Sequence, residues 1–415
     1  MKAYLRTFGC RANQYDTEAA RAMIVAAGGT IVATPEEADV ALFNSCAVTA
    51  AAEADLRREV RRAARVRARM RSEGRTVVIG CASARDDGTI AGLPGVSDVI
   101  GGADLAALAL ALGIDPAFAT ARAGTQTGSR ALLRIQDGCD EHCTFCATTL
   151  ARGANRSRPA DEIRREAAAL AVEHPEIVIT GIHIGTYGAD CGSSLGELLE
   201  RLVIDVPSVR FRLTSVEASE VDGRLEELFV GDPLRVAPHL HAPLQSGSDR
   251  VLKRMGRHWY TRSSYSDAAE RISARREVFA LGADIITGFP GETDADHRET
   301  VSLVNDLPFT YLHVFPYSAR PGTAALKMGL DVPAAVSRER AAELRALGES
   351  KAAAHRARRA GGRADVVVVG DGAKREGLTE DYLTVSIADP SVPRRSRFQA
   401  RLSCPPSTSR LTAVR

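Results

Sequence analysis

The sequence predicts an α/β protein in three parts: an N-terminal parallel-sheet α/β domain (1–125), a central partial (βα) barrel (126–360) and a small C-terminal antiparallel β-barrel (361–415). Three observations carry this expectation. Short runs rich in Val and Ile alternate with longer helical stretches over most of the chain, which is the rhythm of βαβ units. Cys10, Cys46 and Cys81 fall just past three successive strand candidates, at intervals of 36 and 35 residues, close to one βαβ unit each. Beyond residue 360 the pattern changes to short strands alternating with period two.

In the first part the strand candidates are AYLRTF (3–8), DVALFN (39–44) and TVVIG (76–80), with helices expected from Thr17 to Ala27 and from Ala50 to Arg71. Parallel strands align their C-terminal ends on one edge, where open α/β sheets bind ligands. Three thiols at those ends point to a shared ligand; the plainer alternative is that small apolar cysteines simply end buried strands. In the second part six strand candidates recur: 131–136, 176–181, 209–215, 235–241, 283–289 and 311–317. Six such units suggest a partial barrel whose reactive site lies at the strands' C-terminal ends. Those ends carry DGCDEHCTFCAT, TGIHIGTYG, HLHAPLQSGSD, GFPGE and FPYSARPGT. The third part offers two alternating strands around a Gly/Lys/Arg turn and a third in RFQARLS.

Composition bounds the class. The chain has 415 residues, 45% hydrophobic and 26% charged, enough for two or three domains with their own cores. Eight cysteines are too few for a disulfide scaffold, and MKAYLRTFGC has no apolar run suited to a secretory signal, so a reducing cytoplasm is the expected setting. The longest apolar stretch, LAALALALGI at 105–114, is about half of what a membrane span needs. No membrane partner is expected.

Cys139, Cys143 and Cys146 stand at spacings of four and three with no fourth cysteine beside them. Structural zinc takes four ligands in paired knuckles, and a ferredoxin run adds a fourth cysteine and a proline, so neither pattern is met, although spacing alone leaves zinc open. Three thiolates on a 4Fe-4S cube would leave one iron without a protein ligand, where a substrate or cofactor can coordinate. Cys191 and Cys404 lack partners at useful spacing and are expected to be structural. His183, His239, His241 and His313 are candidate proton carriers or, more simply, packing residues of strands.

The CxxxCxxC trio, with Phe145 before its last cysteine, resembles the signature of the radical S-adenosylmethionine enzymes. Together with Cys10, Cys46 and Cys81 ahead of it and HLHAPLQSGSD and GFPGE behind, it is similar to the methylthiotransferases over nearly the whole chain, with a TRAM-like barrel at the end. The resemblance implies that Cys139, Cys143 and Cys146 hold a 4Fe-4S cluster that binds S-adenosylmethionine, and that Cys10, Cys46 and Cys81 hold a second, auxiliary 4Fe-4S cluster. In that family one S-adenosylmethionine methylates sulfur at the auxiliary cluster and a second is reductively cleaved to a radical that activates a C–H bond. Phe145, Thr180, Gly181, Gln245, Ser246 and Gly288 are the implied cofactor contacts, with Gly291 beside them and Glu292 capping the next helix. An electron donor such as flavodoxin or ferredoxin is implied as well.

GCRANQYD (9–16), IQDGC (135–139), ARGANRSRP (151–159) and TGIHIGTYG (180–188) resemble the branch acting on N6-threonylcarbamoyladenosine of tRNA. Alternatives are isopentenyladenosine, an aspartate of a ribosomal protein or, in another class, a non-catalytic iron–sulfur or zinc protein that binds RNA. An RNA partner is supported by nine arginines against two glutamates from Arg57 to Arg75, for which the plainer alternative is a solvated helix face. Arg152, Arg156 and Arg158 are expected to meet the substrate, and Lys374, Arg375, Arg394, Arg395 and Arg397 to give the last barrel its charge. Two departures stand out: CATTLARG replaces the Ile-Ile-Pro-Tyr frequent after the last cysteine of that branch, and the terminal domain drifts after GLTEDYLTV.

Overall fold

A computed structural model describes residues 1–70, 74–370, 375–404 and 410–414; Arg71, the expected end of the second helix, and Lys374 lie outside them. The chain forms two compact units. The first comprises Met1–Gln126, Gln136–Arg156 and Ser318–Thr323, and the second Thr127–Ile135, Ser157–Tyr317 and Ala324–Arg415.

The first unit is built on five parallel strands, β1 (Lys2–Thr7), β2 (Thr30–Ile31), β3 (Val40–Ser45), β4 (Arg75–Gly80) and β5 (Val96–Gly101), in the order β2-β1-β3-β4-β5. β3 is buried along its whole length, as a central strand covered on both faces must be. Helices α1 (Arg11–Ala26), α2 (Ala50–Met70) and α3 (Leu105–Leu112) supply the cover. In α2 the buried residues Leu56, Val60, Ala63 and Arg67 recur every three or four positions and form one stripe. Arg67 is the polar member, and it donates to Thr76 Oγ1 at 2.8 Å. α1 starts six residues earlier than Thr17, directly after Cys10. Asn13, Asp16 and Thr17 are buried on it, so its first two turns lack the apolar periodicity by which a helix is read from sequence.

The second unit carries the barrel. Strands Ala131–Arg134, Glu176–Thr180 and Arg210–Leu213 are parallel neighbours, as are His239–His241, Ala280–Thr287 and Tyr311–Pro316. Parallel bridges Phe211–Val236 and Ser215–His241 join the two triplets, so six strands follow one another in chain order as the sequence predicts. A large apolar cluster packs Leu133, Ile179, Phe211, Leu240, Leu281 and Ile285 under the surrounding helices.

Five strands close the C-terminal barrel: Arg363–Val368, Glu376–Leu378, Thr384–Ile387, Arg397–Ser403 and Thr412–Val414. Four of its pairings are antiparallel and the fifth, Thr384–Ile387 with Thr412–Val414, is parallel. The small antiparallel barrel expected from sequence is thus present, with one parallel pairing where it closes. A closed ring with an odd number of strands cannot alternate direction throughout. Among the described residues no helix is long and apolar enough to cross a membrane.

Candidate cluster-binding site

All six cysteines of the two trios lie in the first unit. Cys10, Cys46 and Cys81 follow β1, β3 and β4, which are adjacent in the sheet, so their loops meet at one edge. Asn13, on the first turn of α1, ties the loops together. Its amide donates to Asn44 Oδ1 (2.9 Å) and to the Ser45 carbonyl (2.6 Å), and its Oδ1 lies 3.3 Å from Cys10 Sγ and 3.7 Å from Cys81 Sγ. The Cys81 amide in turn donates to the Ser45 carbonyl at 3.0 Å. Cys10 is exposed, whereas Cys46 and Cys81 are buried. Burial pushes the Cys46 thiol up, and it pushes the Cys81 thiol up to about 11 against the pull of Arg152.

Close packing limits what can replace the residues before these cysteines. Gly9 has φ +98°, and a Cβ there would stand 2.6 Å from both Cβ and Sγ of Cys46. Gly138, just before Cys139, has φ +74° and a virtual Cβ 1.8 Å from the Ala154 carbonyl oxygen. Only glycine meets both the left-handed backbone and the missing space.

The second trio sits on a loop ending in the short helix α4 (Thr148–Arg152). Cys139 N–H donates to the Gly153 carbonyl (3.0 Å) and Cys146 N–H to the Cys143 carbonyl (3.1 Å), folding the loop into a hook. Gln136 Nε2 holds its stem through the Gly138 carbonyl (2.6 Å) and Asn155 Oδ1 (2.7 Å). Ala147, the residue after Cys146, packs in the same apolar cluster as Phe43, Cys46 and Cys81.

The donor set fits iron–sulfur ligation. Each trio offers three sulfurs, and N–H groups aim at several of them: Val48 N–H at Cys46 Sγ (3.4 Å), Thr148 N–H at Cys146 Sγ (3.3 Å) and Arg152 Nε–H at Cys81 Sγ (3.2 Å). Hydrogen bonds to ligating sulfur are a means by which proteins tune such clusters.

The remaining expected contacts lie in the second unit. Thr180 ends its strand, buried, with its carbonyl accepting from Ile135 N–H, and Gly181 follows it. Gln245 is buried with φ +64°, a conformation that costs a non-glycine residue roughly 1–3 kcal/mol and that clusters at functional sites. Its main chain is held between Asp284 O and Ile286 N. Ser246 Oγ accepts from Ser248 N–H (3.2 Å) and meets Thr300 Oγ1 at 3.4 Å. Gly288 and Gly291 both have positive φ; a Cβ on them would meet Ser337 and the Arg254 guanidinium respectively. Glu292 accepts from Gly288 N–H, and the helix after it is capped by Thr293 instead.

His241 Nε2 and His313 Nδ1 meet Asp284 Oδ1 at 3.1 and 3.2 Å. Burial would raise that carboxyl, but the two imidazoles outweigh it and hold Asp284 well below the usual range. Tyr311 OH joins His239 Nε2 (2.8 Å) and His241 Nδ1 (3.0 Å), and His239 stacks on Tyr382. His183 pairs with Glu220 at 2.6 Å.

Several expectations change. Arg152 does not face outward to a substrate: it is buried on Asp16, Asp137 and Cys81. Arg158 is tied to Glu166, while Arg156 keeps a side chain 59% exposed. In the last barrel Arg375, Arg394 and Arg397 spend donors on protein acceptors: the Val392 carbonyl, Ser129 Oγ with the Thr127 carbonyl, and Asp365 with the Leu234 carbonyl. Cys191 and Cys404, expected to be structural, are both exposed. On α2, by contrast, Arg58, Arg61, Arg62, Arg65 and Arg69 are exposed. Asn13 and Asp16 fall inside the motif GCRANQYD, but no role was read for either; their signal was a buried face of α1 written in polar letters.

Known proteins match this chain at both levels. The model of Uncharacterized protein family UPF0004 matches residues 2–102 and that of the Radical SAM superfamily residues 133–304. A Threonylcarbamoyladenosine tRNA methylthiotransferase MtaB from Thermotoga maritima is 34% identical over 81% of this chain and 79% of its own. A tRNA-2-methylthio-N(6)-dimethylallyladenosine synthase from Sorangium cellulosum is 35% identical over 88% of this chain and 81% of its own. The solved structure of a radical S-adenosylmethionine methyltransferase, TsrM, from Kitasatospora setae shares the fold, with TM-score 0.58 at 13% identity over 78% of this chain and 76% of that one. Membership of the Radical SAM superfamily implies a 4Fe-4S cluster and S-adenosylmethionine. With two thiol trios in one compact unit, a six-stranded partial barrel and these relatives, the chain belongs to the radical S-adenosylmethionine methylthiotransferase family.

Proposed function

We propose that this enzyme adds a methylthio group to carbon-2 of N6-threonylcarbamoyladenosine beside the anticodon of tRNA, with S-adenosylmethionine as methyl donor and radical source. The observation that carries the reading is the gathering of both thiol trios into one compact unit, because sulfur insertion needs a sulfur store beside a radical source. The MtaB name borne by relatives from Thermotoga, Aquifex, Bacillus and Rickettsia supports the choice of nucleoside.

In this reading Cys139, Cys143 and Cys146 hold the cluster that binds S-adenosylmethionine, and Cys10, Cys46 and Cys81 hold an auxiliary one. Bound there, the clusters supply the electron for cofactor cleavage and the sulfur for transfer. The protein's own residues do the rest. Phe145 lies on the cluster loop, and Thr180, Gly181, the strained Gln245, Ser246 and Gly288 are the residues that would contact S-adenosylmethionine. The exposed arginines of α2 follow the phosphate backbone of the RNA, whose target nucleotide is presented unstacked. Residues 1–125, 126–360 and 361–415 divide the labour as auxiliary-cluster domain, radical core and TRAM-like RNA-binding domain. A flavodoxin or ferredoxin delivers the electron, and the setting is cytoplasmic.

The decisive experiment is nucleoside mass spectrometry of total tRNA with and without the gene. The methylthio form of threonylcarbamoyladenosine should vanish on deletion; an unchanged level defeats the assignment. Loss of methylthiolated dimethylallyladenosine instead supports the second reading, which relatives like the Sorangium enzyme favour. In the purified, reconstituted enzyme, C143A should abolish 5′-deoxyadenosine formation, whereas C46A should leave some of it and stop sulfur insertion.

A further inference from the structure

Arg152 ends α4, six residues past the last cysteine of the second trio, with a side chain only 2% exposed. Its Nε–H donates to Cys81 Sγ at 3.2 Å. One terminal nitrogen donates to Asp16 Oδ2 (2.7 Å) and Asn13 Oδ1 (3.1 Å), and the other to Asp137 Oδ1 (3.0 Å). Asp16 and Asn13 belong to the helix behind the first trio, and Asp137 stands two residues before Cys139. A single guanidinium therefore spans a sulfur ligand of one trio, the hub residue of that trio and the stem of the loop that carries the other.

Energetics argue against a merely structural tie. Burying a cation costs several kcal/mol per ion even after relaxation, and apolar packing of similar volume commonly replaces such pairs at no loss. What the guanidinium adds, and an apolar residue cannot, is a charge-assisted donor on a sulfur and a rigid planar fork that fixes three partners at defined angles. An N–H on a ligating sulfur stabilises the more negative, reduced state of a cluster. All three guanidinium nitrogens of Arg152 are spent on Cys81, Asn13, Asp16 and Asp137, and the side chain is buried, which leaves it poorly placed to meet a substrate.

We propose that Arg152 is a positioning residue that locks the Cys81 thiolate against the Asp137–Cys139 stem, and thereby sets the reduction potential of the auxiliary cluster and couples cofactor cleavage to sulfur insertion. The proposal rests on the assignment of Cys10, Cys46 and Cys81 to a cluster. Its test is made first in the full chain with Cys139, Cys143 and Cys146 replaced by alanine, so that the auxiliary cluster is the one observed by EPR-monitored redox titration. R152Q should retain that cluster and shift its potential to more negative values; R152K, which keeps the charge, should recover part of the shift. With the native cysteines restored, methylthio product per 5′-deoxyadenosine should fall about tenfold or more in R152Q, the range typical of lost outer-shell partners.

Should R152Q fail to fold or to take up iron, D137N serves in its place. It leaves the donor on Cys81 but loosens the stem, so the potential should stay and the product ratio should drop. A wild-type potential together with a wild-type ratio in R152Q, or in both R152K and D137N, overturns the proposal. These outcomes are separable from the functional reading: the potential is read without any tRNA, so a chain that modifies no adenosine but shifts its potential in R152Q loses the substrate assignment and keeps the role of Arg152.

Discussion

Cys46 illustrates how tightly single residues are determined at the thiol edge. The Cβ that alanine would add at Gly9 falls on Cys46 Cβ and Sγ, at a backbone angle that L-residues avoid. G9A should therefore cost about 1–3 kcal/mol through strain and overpacking, read as a lower denaturation midpoint, and should lower the iron that the chain retains on reconstitution. A variant with unchanged midpoint and iron would show that the loop relaxes freely. The cysteines themselves were legible in the sequence because no other residue type does their chemistry and because their spacing follows the strands. Arg152 was misread for the opposite reason. Its partner Asp16 lies 136 positions earlier, and an arginine beside a reactive motif looks the same on paper whether it faces solvent or a buried acid.

Helices and strands were legible wherever one face was apolar. The Leu56-Val60-Ala63 stripe fixed α2, and β3 and β4 fell within one residue of their expected limits. α1 was read too short because its opening turns bury Asn13, Asp16 and Thr17, which serve the thiol edge in place of the core. At the other end of the chain's punctuation, the helix Asp294–Asp306 is started by a capping box. Thr293 Oγ1 accepts from Asp296 N–H, and the Asp296 carboxylate accepts from Thr293 N–H at 2.7 Å. T293A should cost about 1 kcal/mol, seen in chemical denaturation, with little effect on cofactor cleavage. Loss of cleavage with stability intact would move this helix start into the active site.

Within the second unit, buried charge joins the barrel to the terminal domain. Glu176 is wholly buried; Arg210 Nε meets it at 2.6 Å and Arg212 Nε at 2.9 Å, while Arg210 also reaches Asp365 at 2.5 Å. Burial alone would raise Glu176, but Arg212, Arg210 and Arg130 outweigh it and keep the carboxyl far below its usual range. E176Q leaves two interior cations short of their counter-charge and should cost about 3–5 kcal/mol by urea unfolding. A loss under 1 kcal/mol would mean that water or Asp365 takes over the pairing. These contacts were invisible to sequence reasoning, since strand arginines read as outward-facing.

Acid should reach this junction through Asp381, which meets His355 Nε2 at 2.9 Å and Arg359 Nε at 2.8 Å. Burial pushes its carboxyl up, yet His355, Arg359 and Thr379 bring it down to about 2 from an ordinary 3.8. A depressed carboxyl stabilises fully above its unfolded value and loses that contribution as pH falls through its folded one. Its neighbour Glu380 is raised by burial and by Asp381, so it takes up a proton first. D381N should thus be less stable at neutral pH and should converge with wild type as pH drops toward about 2. Parallel stability curves across that interval would exclude Asp381 as the acid-sensitive group.

The shared salt cluster also decides where the chain can be cut. Arg210 and Arg212 complete their coordination with Asp365 and the Thr379 carbonyl, both of which come from the closing barrel. A truncation at residue 360, the natural boundary by sequence, would strip two guanidinium groups of acceptors inside the core. The tail is for that reason a structural subunit of the catalytic body, and a shortened expression product should come out insoluble.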